Sequence, residues 1–227
     1  MKPIAYMHMP FGTKFGIPRQ SGLVKELRGE IVMEQEYSRE EAFRGLEAFS
    51  HIWLLWEFSD AVLPRGKAWS PTVRPPRLGG NRRVGVFATR SPFRPNPIGL
   101  SCVRLESVAR RDDRMVLTVS GIDLMDGTPI YDIKPYIPVA DCHPEATEGY
   151  TAETKNHLLQ VDFPKELLER LPRNCHDAVR AVLAQDPRPG YSDDPQRVYG
   201  VMYAGFDVRF RVSGTLLTVC DVVSDGG

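Results

Sequence analysis

The chain has 227 residues, and its 29 Lys and Arg are balanced by 29 Asp and Glu, giving a formal net charge of zero. This length and an apolar fraction of 42% can bury a hydrophobic core without metals or disulfide bonds. The four cysteines form no Cys-x-x-Cys pair and no metal-ligand spacing with the histidines, which predicts reduced thiols and no bound metal. Without a long apolar run or a signal-peptide pattern, we expect a cytoplasmic protein that does not span a membrane.

The first sixty residues predict short strands around one helix. Residues 1–8 and 30–36 favour strands. Ser38 and Glu41 make a capping-box pattern, and apolar residues follow at helical spacing, so we predict that a helix begins at Ser38. The run at 52–58 is short and almost wholly apolar. It favours a buried strand whose tryptophans belong to the core or to a dimer interface.

The middle of the chain predicts further strands beside a proline-rich segment. Seven prolines between Pro64 and Pro97 exclude regular structure throughout, and we predict one strand there, at 83–89. Three more strands are expected at 100–109, 115–122 and 129–134. Many short strands with one early helix favour a mainly β fold, a closed barrel, over a βαβ sandwich.

A change in composition after Cys142 indicates a second unit, reached through the polar stretch 143–154. We therefore predict a β-barrel domain over residues 1–150 and a small α+β domain over 151–227. In the second domain the patterns favour a strand, one or two helices interrupted at Pro172, and a three-stranded meander: 155–162, 164–185, 198–202, 207–212 and 216–222.

Charge is distributed unevenly along the neutral chain. Residues 61–105 contain no Asp or Glu but nine Lys and Arg, and we call this stretch the acid-free block. Such a footprint suits phosphate groups and therefore RNA. A solvated surface that pairs with acidic residues elsewhere would have the same composition, so charge alone leaves both interpretations open.

The densest polar signal lies in the proline-rich loop that follows Thr89. Three prolines fix backbone angles, so the loop loses little entropy when it binds a ligand. A corner made by prolines does not require two arginines and an asparagine, and we therefore favour a binding function. The donors that the loop presents are Arg90, Ser91, Arg94 and Asn96.

A second polar segment, 122–138, combines a turn with several ionisable groups. Asp126-Gly127 predicts a tight turn between strands, which alone would explain solvated carboxylates. Asp123 or Asp126 could instead accept hydrogen bonds from an amino-acid or ribose moiety. Asp132, Lys134 and Tyr136 follow within ten residues.

Several long motifs occur together in the order of one known family. They are Gly-Ile-Pro-Arg-Gln at 16–20, Arg-Gly-Leu-Glu-Ala-Phe-Ser-His at 44–51, Arg-Pro-Pro-Arg-Leu-Gly-Gly at 74–80, the two polar segments above, and Ala-Gln-Asp-Pro-Arg-Pro at 184–189. The chain closely resembles the TrmO family, also called YaeB or TsaA. This resemblance implies a homodimeric β-barrel enzyme that uses S-adenosylmethionine to methylate N6 of N6-threonylcarbamoyladenosine at position 37 of tRNA, in the anticodon loop.

The resemblance also implies a set of cofactor contacts. By position they are Pro18, Arg19, Gln20, Ser59, Asp60, Arg90, Leu100, Asp123, Leu124, Met125 and Asp126. The Ser59-Asp60 pair departs from the His-Gln-like residues that the family carries there.

The chemistry of the reaction suggests catalytic candidates. The target N6 lies between a purine and a carbonyl, so it is a poor nucleophile until it loses its proton, and a base is expected. Asp126, Asp132 and Tyr136 are candidates that the sequence does not rank. Arg94 or Arg90 could hold the threonyl carboxylate, and Asn96 is a further donor on the same loop.

Two rival interpretations of the sequence remain. One is a methyltransferase on the same scaffold with another nucleobase or a small molecule as substrate. The other is a non-catalytic RNA-binding module that uses only the acid-free block.

Overall fold

The computed structural model describes residues 1–11, 15–58, 69–78, 81–153, 158–188 and 194–224. In these ranges twelve strands form: β1 (Ala5–His8), β2 (Arg28–Met33), β3 (His51–Glu57), β4 (Thr72–Val73), β5 (Val84–Gly85), β6 (Ile98–Arg111), β7 (Arg114–Ser120), β8 (Pro129–Pro135), β9 (Gln160–Asp162), β10 (Tyr199–Tyr203), β11 (Phe206–Ser213) and β12 (Leu216–Ser224). The α-helices of the same ranges are α1 (Pro138–Asp141), α2 (Lys165–Leu168) and α3 (His176–Ala184).

Six antiparallel strands close into a barrel in the order β1-β2-β7-β6-β3-β8, and β8 pairs back to β1. Burial alternates along β3: Ile52, Leu54 and Trp56 fill the interior, whereas the residues between them face outward. The prediction of a mainly β fold with a closed barrel is confirmed. The run at 52–58 is apolar on both faces, but only one face is core.

A second sheet, in the order β10-β11-β12-β9, lies in the C-terminal part of the chain. Its terminal meander follows the sequence prediction, and β9 adds a parallel edge to β12. The sheet contacts the barrel side of the molecule directly. The rings of Phe11 and Tyr203 meet edge to face at 5.0 Å, and the backbone N–H of Ala204 donates to Pro10 O.

The prediction of a helix that begins at Ser38 is wrong. Residues 35–48 form three short 3-10 turns instead. The Ser38 hydroxyl does not cap a helix, because it donates to Glu34 O and accepts from the backbone N–H of Met115 on β7. Gly45 adopts a φ of 88°, which a continuous helix does not allow. Tertiary contacts to β7 therefore outweigh the local capping pattern.

The strand predicted at 83–89 is also wrong over most of its length. Only Val84–Gly85 pair, as β5 with β4, and a 3-10 turn follows over Val86–Ala88. The hydroxyl of Thr89 donates to Val86 O at 2.8 Å and closes this turn. Of the alternating Val84, Val86 and Ala88, only Val84 thus lies in a strand, and the other two lie in a turn.

Candidate active site

One end of the barrel, which we call the mouth, lies where β3 ends and β6 begins. There the Trp56 ring lies across Gly99 of β6, where a Cβ atom would stand 2.2 Å from the ring. Glycine is therefore required for this packing. The Trp56 indole N–H donates to Ser101 Oγ at 2.9 Å, and Ser101 Oγ donates to Asp123 Oδ1 at 2.6 Å. A chain of two hydrogen bonds thus links the barrel core to a carboxylate.

The carboxyl group of Asp123 lies at the mouth and has a raised pKa. Burial raises the pKa of Asp123 to about 6, although hydrogen bonds from Ser101 and from the backbone N–H of Ser21, and the charge of Arg90, act in the opposite direction. The residue stays partly exposed by surface area. It is therefore a carboxylate with little water around it that a ligand can still reach.

The segment Phe15–Gly22 lies over the mouth, and we call it the cofactor loop because the family resemblance predicts cofactor contacts at Pro18, Arg19 and Gln20. Its end is fixed to the barrel, because the backbone N–H of Gly22 donates to Gly121 O at 2.8 Å and Ser21 Oγ accepts from Cys102 N. The Gln20 side chain accepts a hydrogen bond from Arg90 Nη1 and donates to Arg19 O. Gln20, Arg90 and Asp123 come from distant segments, and the fold gathers them around one opening.

The turn after Asp123 contains the predicted contacts Leu124, Met125 and Asp126, which differ in exposure and in hydrogen bonding. Leu124 is 1% exposed and belongs to the core, so only its backbone can meet a ligand. Met125 donates its N–H to Thr128 Oγ1 and accepts from that hydroxyl. The exposed Asp126 carboxylate accepts from Met9 N at 3.0 Å and lies 3.7 Å from His8 Nδ1. Of this turn, Asp123 and Asp126 present carboxylates that a ligand can contact.

The proline-rich loop is braced from within. Arg94 Nη1 donates to Thr89 O at 3.0 Å, and Thr89 Oγ1 accepts from Ser91 N. A guanidinium carries five donors, so this bond leaves Arg94 able to bind a carboxylate. Arg94 is half-buried and Asn96 is exposed. Both are held on a preformed loop that begins at Arg90.

Two predicted catalytic residues lie away from the mouth, on the outer wall of the barrel. Asp132 pairs with Lys134 at 2.9 Å and lines a surface pocket of about 500 Å³ under the 3-10 turns. The backbone N–H of Tyr136 donates to His51 O, at the end of β3 opposite Trp56. Five residues of strand separate these ends by roughly 16 Å. Within one chain the fold does not bring Tyr136 to Asp123.

The remaining predicted cofactor contacts lie in the cofactor loop, on β6 and at positions 59–60. Pro18 is buried in the cofactor loop, and Arg19 is exposed beside it. Leu100 points outward from β6 and is 48% exposed. Ser59 and Asp60 lie outside the described residues. Within the described ranges no group of three or more His, Cys, Asp or Glu could hold a metal ion, and no helix is long and apolar enough to cross a membrane.

Sequence reasoning missed Trp56 and Ser101 as parts of this site. The alternation of inward and outward side chains along a strand could have identified Ser101. If Gly99 faces inward on an antiparallel strand, Ser101 does too, and a serine inside a barrel needs a polar partner. The partner lies 22 positions further along the chain, which no local pattern indicates.

Family models match nearly the whole chain. The N-terminal domain of tRNA-methyltransferase O matches residues 6–142, and the TrmO C-terminal domain matches residues 156–225. Two curated relatives span comparable lengths. The tRNA (adenine(37)-N6)-methyltransferase of Escherichia coli is 44% identical over 92% of each chain. A putative S-adenosylmethionine-dependent methyltransferase of Pseudomonas aeruginosa, RcsF, is 42% identical over 98% of this chain and 96% of that one.

Solved structures agree with the sequence comparisons. A crystal structure of TrmO superposes with a TM-score of 0.76 at 37% identity, covering 98% of this chain and 97% of the other. A TrmO structure from Pseudomonas aeruginosa gives the same TM-score and identity over 98% and 95%. The resemblance seen in the motifs thus extends over both sheets, and the chain belongs to the TrmO family.

Proposed function

We infer that the protein is an enzyme, an S-adenosylmethionine-dependent methyltransferase that methylates N6 of N6-threonylcarbamoyladenosine at position 37 of tRNA. The observation that carries this function is the gathering of Gln20, Arg90 and Asp123 at the mouth, in a chain 44% identical to a tRNA (adenine(37)-N6)-methyltransferase. Each of the three comes from a different segment that the family motifs include.

The donor groups at the mouth fit S-adenosylmethionine. The cofactor carries an ammonium, a carboxylate and ribose hydroxyls, and it supplies an activated methyl group on a sulfonium. The half-buried carboxylate of Asp123 suits the ammonium or the ribose, and the fork of Arg90 suits the carboxylate. Gln20 keeps Arg90 oriented through its amide oxygen. The preformed loops reduce the entropy lost on binding, which aligns donor and acceptor.

Among the base candidates we favour Asp126. It lies on the turn that carries Asp123, whereas Asp132 and Tyr136 lie on the outer wall. Partial burial and the neighbouring Cys142 raise the pKa of Tyr136, which leaves less of the phenolate that a base would need. Asp126 would accept the N6 proton as the methyl group is transferred.

The substrate is held by the proline-rich loop and the acid-free block. Arg94 would clamp the threonyl carboxylate while its bond to Thr89 O keeps the loop rigid. Arg82 and Arg83 lie on the β4–β5 side of the block, exposed to solvent, and would contact phosphates of the anticodon loop. Arg82 also pairs with Glu153 at 3.3 Å, and this carboxylate partly offsets its positive charge.

We further propose that the protein is a cytoplasmic homodimer of two-domain chains divided near residue 150. The outward faces of β3 and β6 place apolar side chains next to each other, since Trp53 pairs with Cys102 and Leu55 with Leu100. Leu100 is 48% exposed there. An apolar wall of this kind suits burial against a second copy. Sedimentation equilibrium would detect the dimer, and a purely monomeric protein that stays active would contradict it.

Nucleoside mass spectrometry tests the function as a whole. Purified protein is incubated with methyl-labelled S-adenosylmethionine and tRNA that carries N6-threonylcarbamoyladenosine, and the tRNA is digested. Label is expected on N6 of that nucleoside. Label on another base would indicate the rival substrate, and tRNA binding without cofactor binding would indicate a non-catalytic RNA-binding protein.

A further inference from the structure

The motif Ala-Gln-Asp-Pro-Arg-Pro at 184–189 lies outside the barrel and has no place in the chemistry above. It begins at the end of α3, where Asp186 adopts a φ of 53°. This left-handed position after a helix usually holds Gly or Asn. An aspartate there also faces the negative end of the helix dipole, which is unfavourable. Its carboxylate therefore needs a compensating partner.

Arg188 is that partner, in a largely buried and bidentate pair. Arg188 Nε lies 2.8 Å from Asp186 Oδ1, and Nη2 lies 2.9 Å from Oδ2. The backbone N–H of Arg188 also donates to Oδ1. The two side chains are 11% and 13% exposed, less than in any other ion pair between described residues. The pair therefore fixes the backbone at Arg188, including its carbonyl.

That carbonyl faces the cofactor loop. Arg19 Nη2 donates to Arg188 O at 3.3 Å, across 169 positions of sequence. Gly16 of the same loop packs against Val201 of β10, where a Cβ atom would lie 2.7 Å from Val201 Cγ1. The C-terminal part of the chain thus meets the cofactor loop at two places, through a hydrogen bond from the loop after α3 and through packing against β10.

Arg19 links this contact to the mouth. Arg19 O accepts from Gln20 Nε2, and Gln20 Oε1 accepts from Arg90. A shift of Arg19 would therefore move the amide that orients Arg90. We propose that Asp186 and Arg188 are positioning residues, which hold Arg19 and Gln20 in the geometry that binds S-adenosylmethionine. This inference rests on the proposed function, because it assigns a second part of the chain to the same cofactor site.

A double-mutant cycle on the full chain tests the inference, with S-adenosylmethionine affinity measured by calorimetry without tRNA. Asp186→Asn keeps the size of the side chain but removes the charge that holds the arginine fork. It is expected to weaken cofactor binding about five- to twentyfold in the native background. In the Arg19→Ala background the same change is expected to have little further effect, because Arg19 transmits it.

The matched control is Asp221→Asn on β12, which breaks exposed ion pairs with Arg170 and Arg209 in the same C-terminal part of the chain. It should leave cofactor affinity unchanged. Thermal unfolding of every variant separates loss of fold from loss of position. If Asp186→Asn does not fold, Arg188→Lys replaces it in the cycle, since the ammonium keeps the charge without the fork.

The outcomes separate the inference from the proposed function. Native protein that binds no S-adenosylmethionine would contradict the function itself. Native binding with normal affinity in Asp186→Asn would overturn the inference alone. Equal losses with and without Arg19 would also overturn it, because the pair would then act only on stability. A loss confined to tRNA affinity would assign the pair to the RNA surface instead.

Discussion

The mouth of the barrel and its outer wall carry the same residue types in opposite surroundings. At the mouth, Asp123 is bonded to Ser101, and burial raises its pKa to about 6. On the wall, Asp132 pairs with Lys134 with both side chains open to water. Exposed pairs of this kind contribute only about 0–1 kcal/mol. Carboxylates within ten residues of each other thus differ in use because strand direction and closure place one inside the site and the other outside.

The largest expected effect comes from the two candidate bases, one in each region. Asp126→Asn should lower single-turnover methylation about 10²–10⁴-fold, because the amide still accepts from Met9 N but cannot take a proton. Asp132→Asn should change it less than about twofold, since it loses only an exposed pair. Rapid-quench assays on fully modified tRNA measure both. Comparable losses in the two variants would show that Asp132 takes part in the reaction, for instance at the site of a partner protomer.

The next effect concerns the proline-rich loop that carries Arg94. Arg94→Ala should lower turnover roughly 10–100-fold with near-normal cofactor affinity, because a charge-assisted hydrogen bond is worth about 1.5–3 kcal/mol. Its melting temperature should also fall, since Thr89 O loses a donor. Arg94→Lys should be impaired too, because an ammonium lacks the fork.

Arg110→Ala is the control for this loop, because Arg110 is an exposed arginine of β6 that lies outside the acid-free block and pairs with Glu40. It should retain normal turnover. Normal turnover in Arg94→Ala would show that the substrate carboxylate is bound elsewhere.

A smaller effect follows from the raised pKa of Asp123. Its ionised form is lost as pH falls through about 6, so affinity for the cationic cofactor should drop roughly tenfold per pH unit below that value. Asp123→Asn should bind weakly with little dependence on pH between 5 and 7. Because folding raises the pKa of Asp123 from 3.8 to about 6, its ionisation lowers stability as pH rises from about 4 to 6, and the loss is complete above pH 6. Asp123→Asn should therefore melt at a higher temperature at pH 7. Calorimetric titrations at several pH values decide this, and a flat profile for the native protein would exclude the role.

The smallest effect is expected on RNA affinity. Replacing Arg82 and Arg83 together by Ala should make the salt dependence of tRNA binding shallower by about 1.4 in log–log slope, as expected for two contacts to a single strand. Cofactor affinity should stay unchanged. The paired replacement of Arg111 and Arg114, which lie outside the acid-free block and pair with Glu30 and Glu34, removes the same charge as a control. Equal slopes for both variants would mean that the block is only a solvated surface.

Much of the fold could be predicted from the sequence, because strands carry a local signal. The strands at 100–109, 115–122 and 129–134 were predicted within a few residues of β6, β7 and β8. Local signals failed where a side chain had a stronger distant partner. Ser38 bonds Met115 on β7 rather than capping a helix, and Val86 and Ala88 lie in a turn instead of a strand.

The candidate site divides in the same way. The motifs named Gln20, Arg90 and Asp123 as residues of interest, and the identity of those side chains already set the kinds of group that they can bind. The sequence by itself therefore determined the family, the barrel and the donor groups.

The tertiary structure alone decided which of these groups meet. Ser101 and Asp123 are 22 positions apart, and Arg19 and Arg188 are 169 apart. Whether such pairs form depends on barrel closure, strand register and the docking of the C-terminal sheet. The same closure places Tyr136 on the wall and Asp123 at the mouth. Residue type and local periodicity carry no information on these long-range distances, because the packing of the whole chain fixes them.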